Sequence, residues 1–384
     1  MSPSNHRVPT LPSLTGLRFA AAFGVWLSHA AFLNPAPWGQ ALPVLIALGP
    51  AGVSLFFVLS GFVLTRSARP DDTPRAFWRR RAVKVYPGHL TAWAAVTALT
   101  VAAGLAGAFT LTDFLPGILL VQTWLPVPDH LMAGNIISWS LCCEVFFYLM
   151  FPLLLRLVNR IPAHRLTAAA IGAAAVVWLC PVVSSVFDGP RLPGFPLELP
   201  AHQTWFVYFF PPCRLPEFVL GMLLAAGLRS PVAPPRRAGV RAAAALLLGA
   251  LTVGTLVLPP AFTFAAAGII PTALLIRSTA VSDLHHAPSL LRTRVMLFLG
   301  EISYAFYLTH TCALLAVHQG LRLLGQKDFG PLAMCCGLMA SVALAWLLYI
   351  AVERPCMRRF AEPGGMRRQR LAAAAPTGRP VAPH

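Results

Sequence analysis

Residues 14–33 read LTGLRFAAAFGVWLSHAAFL, an apolar run long enough to cross a bilayer as a helix, yet it holds an arginine and a histidine. An ionisable side chain at the centre of a spanning helix costs about 2.5–3.5 kcal/mol or more, so it survives mainly where something needs it. Arg18 and His29 are eleven residues apart. At about 100° per residue that is three turns plus roughly 20°, so both lie on one helical face, about 16 Å apart along the axis. One helix thus offers a cation near one end and a titratable imidazole farther along the same stripe.

Runs of this kind recur from end to end. The chain has 384 residues, of which 57% are hydrophobic and only 11% charged, where a soluble domain is nearer one quarter charged. Ten stretches reach spanning length, near 14–33, 45–65, 88–109, 137–155, 166–187, 206–228, 240–258, 262–277, 296–317 and 331–352. The expected fold is therefore an all-α polytopic membrane protein of about ten transmembrane helices. Residues 113–126 (DFLPGILLVQTWLP) are apolar but short and proline-bounded, which predicts an interfacial or re-entrant piece.

The formal charge of +17 could suggest a polyanion partner. Its distribution points elsewhere. With the N-terminus inside, 25 of the 30 Lys and Arg residues fall in segments on the cytoplasmic side, the positive-inside pattern. No folded basic domain with interleaved aromatics is present, so nucleic acid is not an expected partner. Both termini are expected in the cytoplasm, and the expected location is the plasma membrane. The parts are a cytoplasmic N-terminus at 1–13, a membrane domain at 14–361 and a disordered basic tail at 362–384. The eight cysteines include two adjacent pairs and lack zinc spacing. They read as small packing residues, with no metal and no bound cofactor expected.

Several polar constellations interrupt the apolar runs. In the second span Ser60-Gly61 permits close approach of another helix, or of a ligand if His29 faces it. The stretch FWRRRAVKVYPGHL (77–90) concentrates Arg79, Arg80, Arg81 and Lys84. That cluster is ordinary as a topology signal, and as a site it suits phosphates through bidentate arginine donors. Glu144 is an intramembrane carboxylate in the fourth span, with Ser140 and Tyr148 one turn to either side. It calls for a partner such as Arg18 or His29, either as a structural ion pair or as a carboxylate orienting the imidazole. Arg214 and Glu217, three apart, can neutralise each other beside three prolines. Ser303, Tyr307 and His310 share one face of the ninth span, as an acceptor-binding or relay stripe or as structural hydrogen bonding. Glu353-Arg354 reads as a local ion pair at the interface.

Taken together, LTGLRFAAAFGVWLSH, GVSLFFVLSGF, the basic stretch ending YP, WSLCCEVFFYLMFPLLL, RLPEFVLGMLLA, LGEISYAFYLTH and VERP, in this order, closely resemble the membrane-bound acyltransferase 3 family over residues 10 to 360. The resemblance implies about ten spans and transfer of an acyl group from cytosolic acyl-CoA to a hydroxyl, often on a sugar. It places Arg18 and His29 at the active site and implies roles for Phe56 to Phe62, the basic pair before Tyr-Pro, and Glu144. The second basic residue of that pair is usually Arg and is Lys84 here. The residue before the ninth-span His is usually Trp and is Thr309 here. The chain looks like the short stand-alone members without an appended hydrolase-like domain, which include modifiers of macrolide sugars.

The expected activity is an acyl-CoA-dependent O-acyltransferase. His29, oriented by Glu144, would take the proton of a carbohydrate hydroxyl, and Arg18 would steady the donor. Arg79, Arg81 and Lys84, with Ser60 and Gly61, form the expected donor site; Ser303, Tyr307 and His310 form the expected acceptor site. The rival reading is a secondary transporter, since buried charges and broken helices also mark those. A transporter predicts two similar halves, and no second copy of the Arg/His span is evident.

Overall fold

A computed structural model describes residues 10–69, 72–104, 110–191, 199–229, 239–325 and 330–360. The basic tail, most of the N-terminal segment, and Arg236, Arg237 and Lys327 lie outside the described residues. Of the described residues 84% are helical, and none of them forms a strand. The helices are α1 (Pro12–Leu33), α2 (Leu42–Arg66), α3 (Pro74–Ala102), α4 (Leu111–Leu119) and α5 (Pro128–Met132). Then follow α6 (Trp139–Arg160), α7 (Leu166–Ser184), α8 (Ala201–Thr204), α9 (Pro211–Gly227) and α10 (Gly239–Val257). The last are α11 (Ala266–Leu284), α12 (Arg294–Glu301), α13 (Ser303–Leu323), α14 (Pro331–Leu348) and α15 (Arg354–Phe360).

Among the described residues eight helical segments are long and apolar enough to cross a membrane. The two other expected spans, 88–109 and 296–317, coincide largely with α3 and α13. Both are helices of spanning length, but their polar and aromatic residues lower their hydropathy. The ninth run is not one continuous helix. Its first part forms α12, the chain breaks at Ile302, and α13 begins at Ser303.

Small residues set the innermost contacts, because lipid offers no hydrophobic drive and helices associate by close packing. The tightest is reciprocal. A Cβ placed on Gly61 of α2 would stand 2.0 Å from the Phe218 carbonyl oxygen of α9, and one on Gly221 of α9 would stand 1.8 Å from that of Val58. The two backbones touch, and only glycine fits at either position. The expected close approach at Gly61 is thus to a helix, and Gly61 has no room to receive a donor molecule. Arg214 and Glu217 pair as expected (Nε–Oε1 2.9 Å), and the guanidinium also donates to Ser54 Oγ at 3.1 Å. Phe57, Trp139 and Tyr208 surround that guanidinium with ring centroids 5.4–5.9 Å away.

The proline-bounded segment after α3 folds as the short helix α4, a left-handed residue at Leu120, and an irregular stretch whose Gln122 and Thr123 are buried. Several of its polar groups are met by neighbours. His89 donates from Nε2 to the Gly117 carbonyl at 3.1 Å, Trp205 Nε1 donates to the Thr123 carbonyl at 2.8 Å, and Gln122 donates to Ser138 Oγ at 3.0 Å. Irregular backbone inside a bundle is tolerated when side chains satisfy it in this way.

Candidate active site

Two sites, close together, collect the polar side chains. The first is a cavity of about 140 Å³ bordered by α1, α2, α3, α6 and α13. Arg18, Ser60, Arg81, Lys84, Glu144 and Tyr148 face it, with Phe56, Ser140, Tyr304 and Tyr307 among its walls. Tyr148, one turn beyond Glu144 on α6, donates its hydroxyl hydrogen to Glu144 Oε2 at 2.7 Å. The positive charges acting on Glu144 are Arg18, Arg81 and Lys84. The carboxylate therefore balances a cationic cluster in a place where unpaired charge is costly. Lys84 is itself paired with Glu353, which closes a π-helical turn after α14, and its ammonium lies 5.4 Å from the Tyr304 ring centre. Glu353 thus pairs across the bundle rather than with its neighbour Arg354. Arg81 sits over the rings of Phe77 and Tyr148, at 5.8 and 6.0 Å.

The second site is a pair of histidines. His310 of α13 faces His29 of α1, with ring centres 5.1 Å apart and His310 Nε2 3.2 Å from His29 Nδ1. His29 Nδ1 is also 2.9 Å from the Val25 carbonyl oxygen, and His310 Nδ1 is 2.7 Å from that of Tyr307. A carbonyl oxygen only accepts, so both Nδ1 atoms carry hydrogen in the neutral rings. His310 Nε2 is then the second acceptor for the His29 Nδ1–H, and His29 Nε2 keeps an unprotonated lone pair. Local helix geometry produces this, because each imidazole leans back onto a carbonyl of its own preceding turn.

The predicted residues sort accordingly. Arg18, Ser60, Arg81, Lys84, Glu144 and Tyr307 border one cavity. His29 is not paired with Glu144; its partner is His310, while Glu144 holds Tyr148. Tyr307 joins the two sites. Its hydroxyl bonds to Ser140 (2.7 Å) and to the Ile137 carbonyl (3.1 Å) on the cavity side, and its ring centre is 5.9 Å from that of His310. Ser303 belongs to neither site: it is fully buried and donates to the Gly300 carbonyl at 2.7 Å. Arg79 is exposed and borders neither. Tyr304 and Glu353 are members that local spacing did not single out as site residues. A carboxylate ending an apolar helix was the available signal for Glu353. No group of three or more metal-ligating side chains forms among the described residues.

These features coincide with a known family. The acyltransferase-domain family model matches residues 11–350. The chain is 42% identical to "Acyltransferase MdmB" of Streptomyces mycarofaciens over 96% of both chains. It is 27% identical to "Exopolysaccharide production protein ExoZ" of Rhizobium meliloti over 81% of this chain and 90% of that protein. It is also 27% identical to "O-acetyltransferase OatA" of Staphylococcus aureus over 56% of this chain and 34% of that one. No solved structure matches it. An acyltransferase family displaces the transporter reading of the buried charges. The chain is a polytopic membrane protein of the acyltransferase 3 family.

Proposed function

We propose that the protein moves an acyl group from cytosolic acyl-CoA to a hydroxyl of a carbohydrate or glycosylated small molecule, such as a macrolide sugar or an envelope glycan, in the plasma membrane. The observation that carries this reading is the histidine pair, whose hydrogen bonds leave His29 Nε2 free to accept a proton, with Tyr307 linking the pair to the cation-lined cavity. His29 Nε2 takes the proton of the acceptor hydroxyl as its oxygen attacks the thioester carbonyl. The carbon–sulfur bond then breaks, and the protonated His29 returns the proton to the departing CoA thiolate, so the ring ends neutral. His310 holds the His29 ring and its tautomer, the orienting task that sequence reading gives to Glu144. Arg18 steadies the donor in the cavity, with Glu144 balancing the local charge. Ten spans with both termini in the cytoplasm would put the arginine-rich helix ends on the side where CoA is found.

The test is release of free CoA from labelled acetyl-CoA by the purified protein, with and without a glycosylated acceptor. Acceptor-dependent release that disappears in His29→Ala is the expected result. Full activity in a folded His29→Ala variant, or no release with any acyl-CoA and acceptor, would overturn the reading.

A further inference from the structure

Outside the Glu144 cavity lies a second, wider one of about 820 Å³, formed where the ends of α2, α6 and α9 meet the start of α3. Among the described residues six arginines border it, including Arg66, Arg69, Arg81, Arg156 and Arg229, against one carboxylate, Asp72. Asp72 is committed to Arg80. Arg229 donates to the side-chain oxygen of Asn159 at 2.7 Å, a neutral partner. Arg66 Nε and Nη2 and Arg81 Nε are buried and form no hydrogen bond, so neither guanidinium has all its donors spent within the protein. The excess of guanidinium groups over carboxylates in this lining makes the vestibule strongly cationic, which suits an anion that arrives from outside the chain. The two cavities share Arg81 and Leu64 as wall residues, so the vestibule adjoins the chamber that holds Arg18 and Glu144.

We infer that this vestibule is the subsite for the phosphates of the donor's nucleotide, gripped by Arg66, Arg156 and Arg229, with the pantetheine arm passing Arg81 into the inner cavity. This rests on the acyl-CoA reading above. The volume lies within the range of small-molecule sites, and planar guanidinium groups from separate helices match phosphate oxygens in bidentate geometry. It moves the phosphate contacts away from Lys84, which Glu353 neutralises, and from the exposed Arg79. An anionic lipid headgroup offers the same phosphate chemistry. The position of the vestibule among four helices, against the wall of the inner cavity, favours the nucleotide.

The experiment uses the full-length protein in phosphatidylcholine nanodiscs and measures calorimetric binding of adenosine bisphosphate, the nucleotide portion of CoA. Arg66→Gln, Arg156→Gln and Arg229→Gln are compared with the parent protein. Loss of a charge-assisted contact should weaken binding by about tenfold or more in each variant. The KM for acetyl-CoA should rise in parallel at unchanged kcat, while the KM for acetyl-pantetheine, which lacks the nucleotide, stays constant. Equal changes for both donors, or nucleotide binding that ignores all three substitutions, would overturn the assignment. So would variants that lose only a response to added phosphatidylglycerol, which would make the vestibule a lipid site. Nucleotide binding through these arginines without transfer from any acyl-CoA would sustain the subsite and refute the enzymatic reading instead.

Discussion

Replacing His310 with alanine separates the two imidazoles' roles. The change removes one of the two acceptors of the His29 Nδ1–H and leaves the other, the Val25 carbonyl at 2.9 Å. A neutral hydrogen bond contributes about 0.5–1.5 kcal/mol net, which at about 1.4 kcal/mol per decade corresponds to roughly a 2- to 13-fold loss of kcat. His29→Ala deletes the base and should cost about 10²–10⁴-fold. The double variant should be no slower than His29→Ala, because His310 acts only through its neighbour. His310→Gln, whose amide oxygen can accept the same hydrogen, should recover part of the loss. The assay is the initial rate of acceptor-dependent CoA release in nanodiscs, with thermal unfolding measured on each variant to confirm the fold. A folded His310→Ala protein as inactive as His29→Ala would refute the reasoning and make His310 the proton acceptor.

Three further outcomes follow from the packing and the charges. Glu144→Gln leaves the cavity's cations without their carboxylate and should lower stability by about 3–5 kcal/mol, whereas Tyr148→Phe, which removes only a hydrogen bond, should cost nearer 1 kcal/mol; thermal unfolding in detergent separates the two. Gly221→Ala forces a methyl against the Val58 carbonyl and should destabilise by about 1–3 kcal/mol or more. Gly172→Ala, with nothing within 4 Å, should be neutral or slightly stabilising by the same measurement. Outside the spans, the Thr110 hydroxyl and backbone N–H hold Asp113 below the usual carboxylate range at the start of α4. A pKa lowered by folding means that the stabilisation is present above the unfolded value and is lost as pH falls through the folded one. Amide-exchange protection in the first turn of α4 should therefore drop at acidic pH, and Thr110→Ala should shift that drop to higher pH.

Much of the architecture could be read along the chain. Apolar run length announces an all-α membrane protein, and the short proline-bounded segment after α3 is indeed not a spanning helix. Contacts within one or two turns were equally legible: Arg214 with Glu217, and Tyr148 with Glu144, because spacings of three and four residues fix neighbours on a helix. The same periodicity marks Tyr307 and His310 as one face of α13. It does not say what that face meets. Pairing Glu144 with His29 follows from residue type alone, and charge complementarity cannot choose among several buried cations. Glu353 shows the same limit: its sequence neighbour is Arg354, but its partner is Lys84, 269 positions away.

Composition and period thus decide that the protein lives in a bilayer, where its helices run, and that Arg18 and His29 share a stripe, because hydration cost and helical pitch are local properties. Helix rotation and depth are set by backbone contacts such as Gly61 on Phe218 and Gly221 on Val58, which depend on shapes distant in the chain. Only in the assembled bundle does His310 meet His29 across 281 residues and do Arg18, Arg81 and Lys84 gather around Glu144. The stripe on α1 is written in the sequence; the division of its two ends between a charged cavity and a histidine pair arises only when the helices assemble.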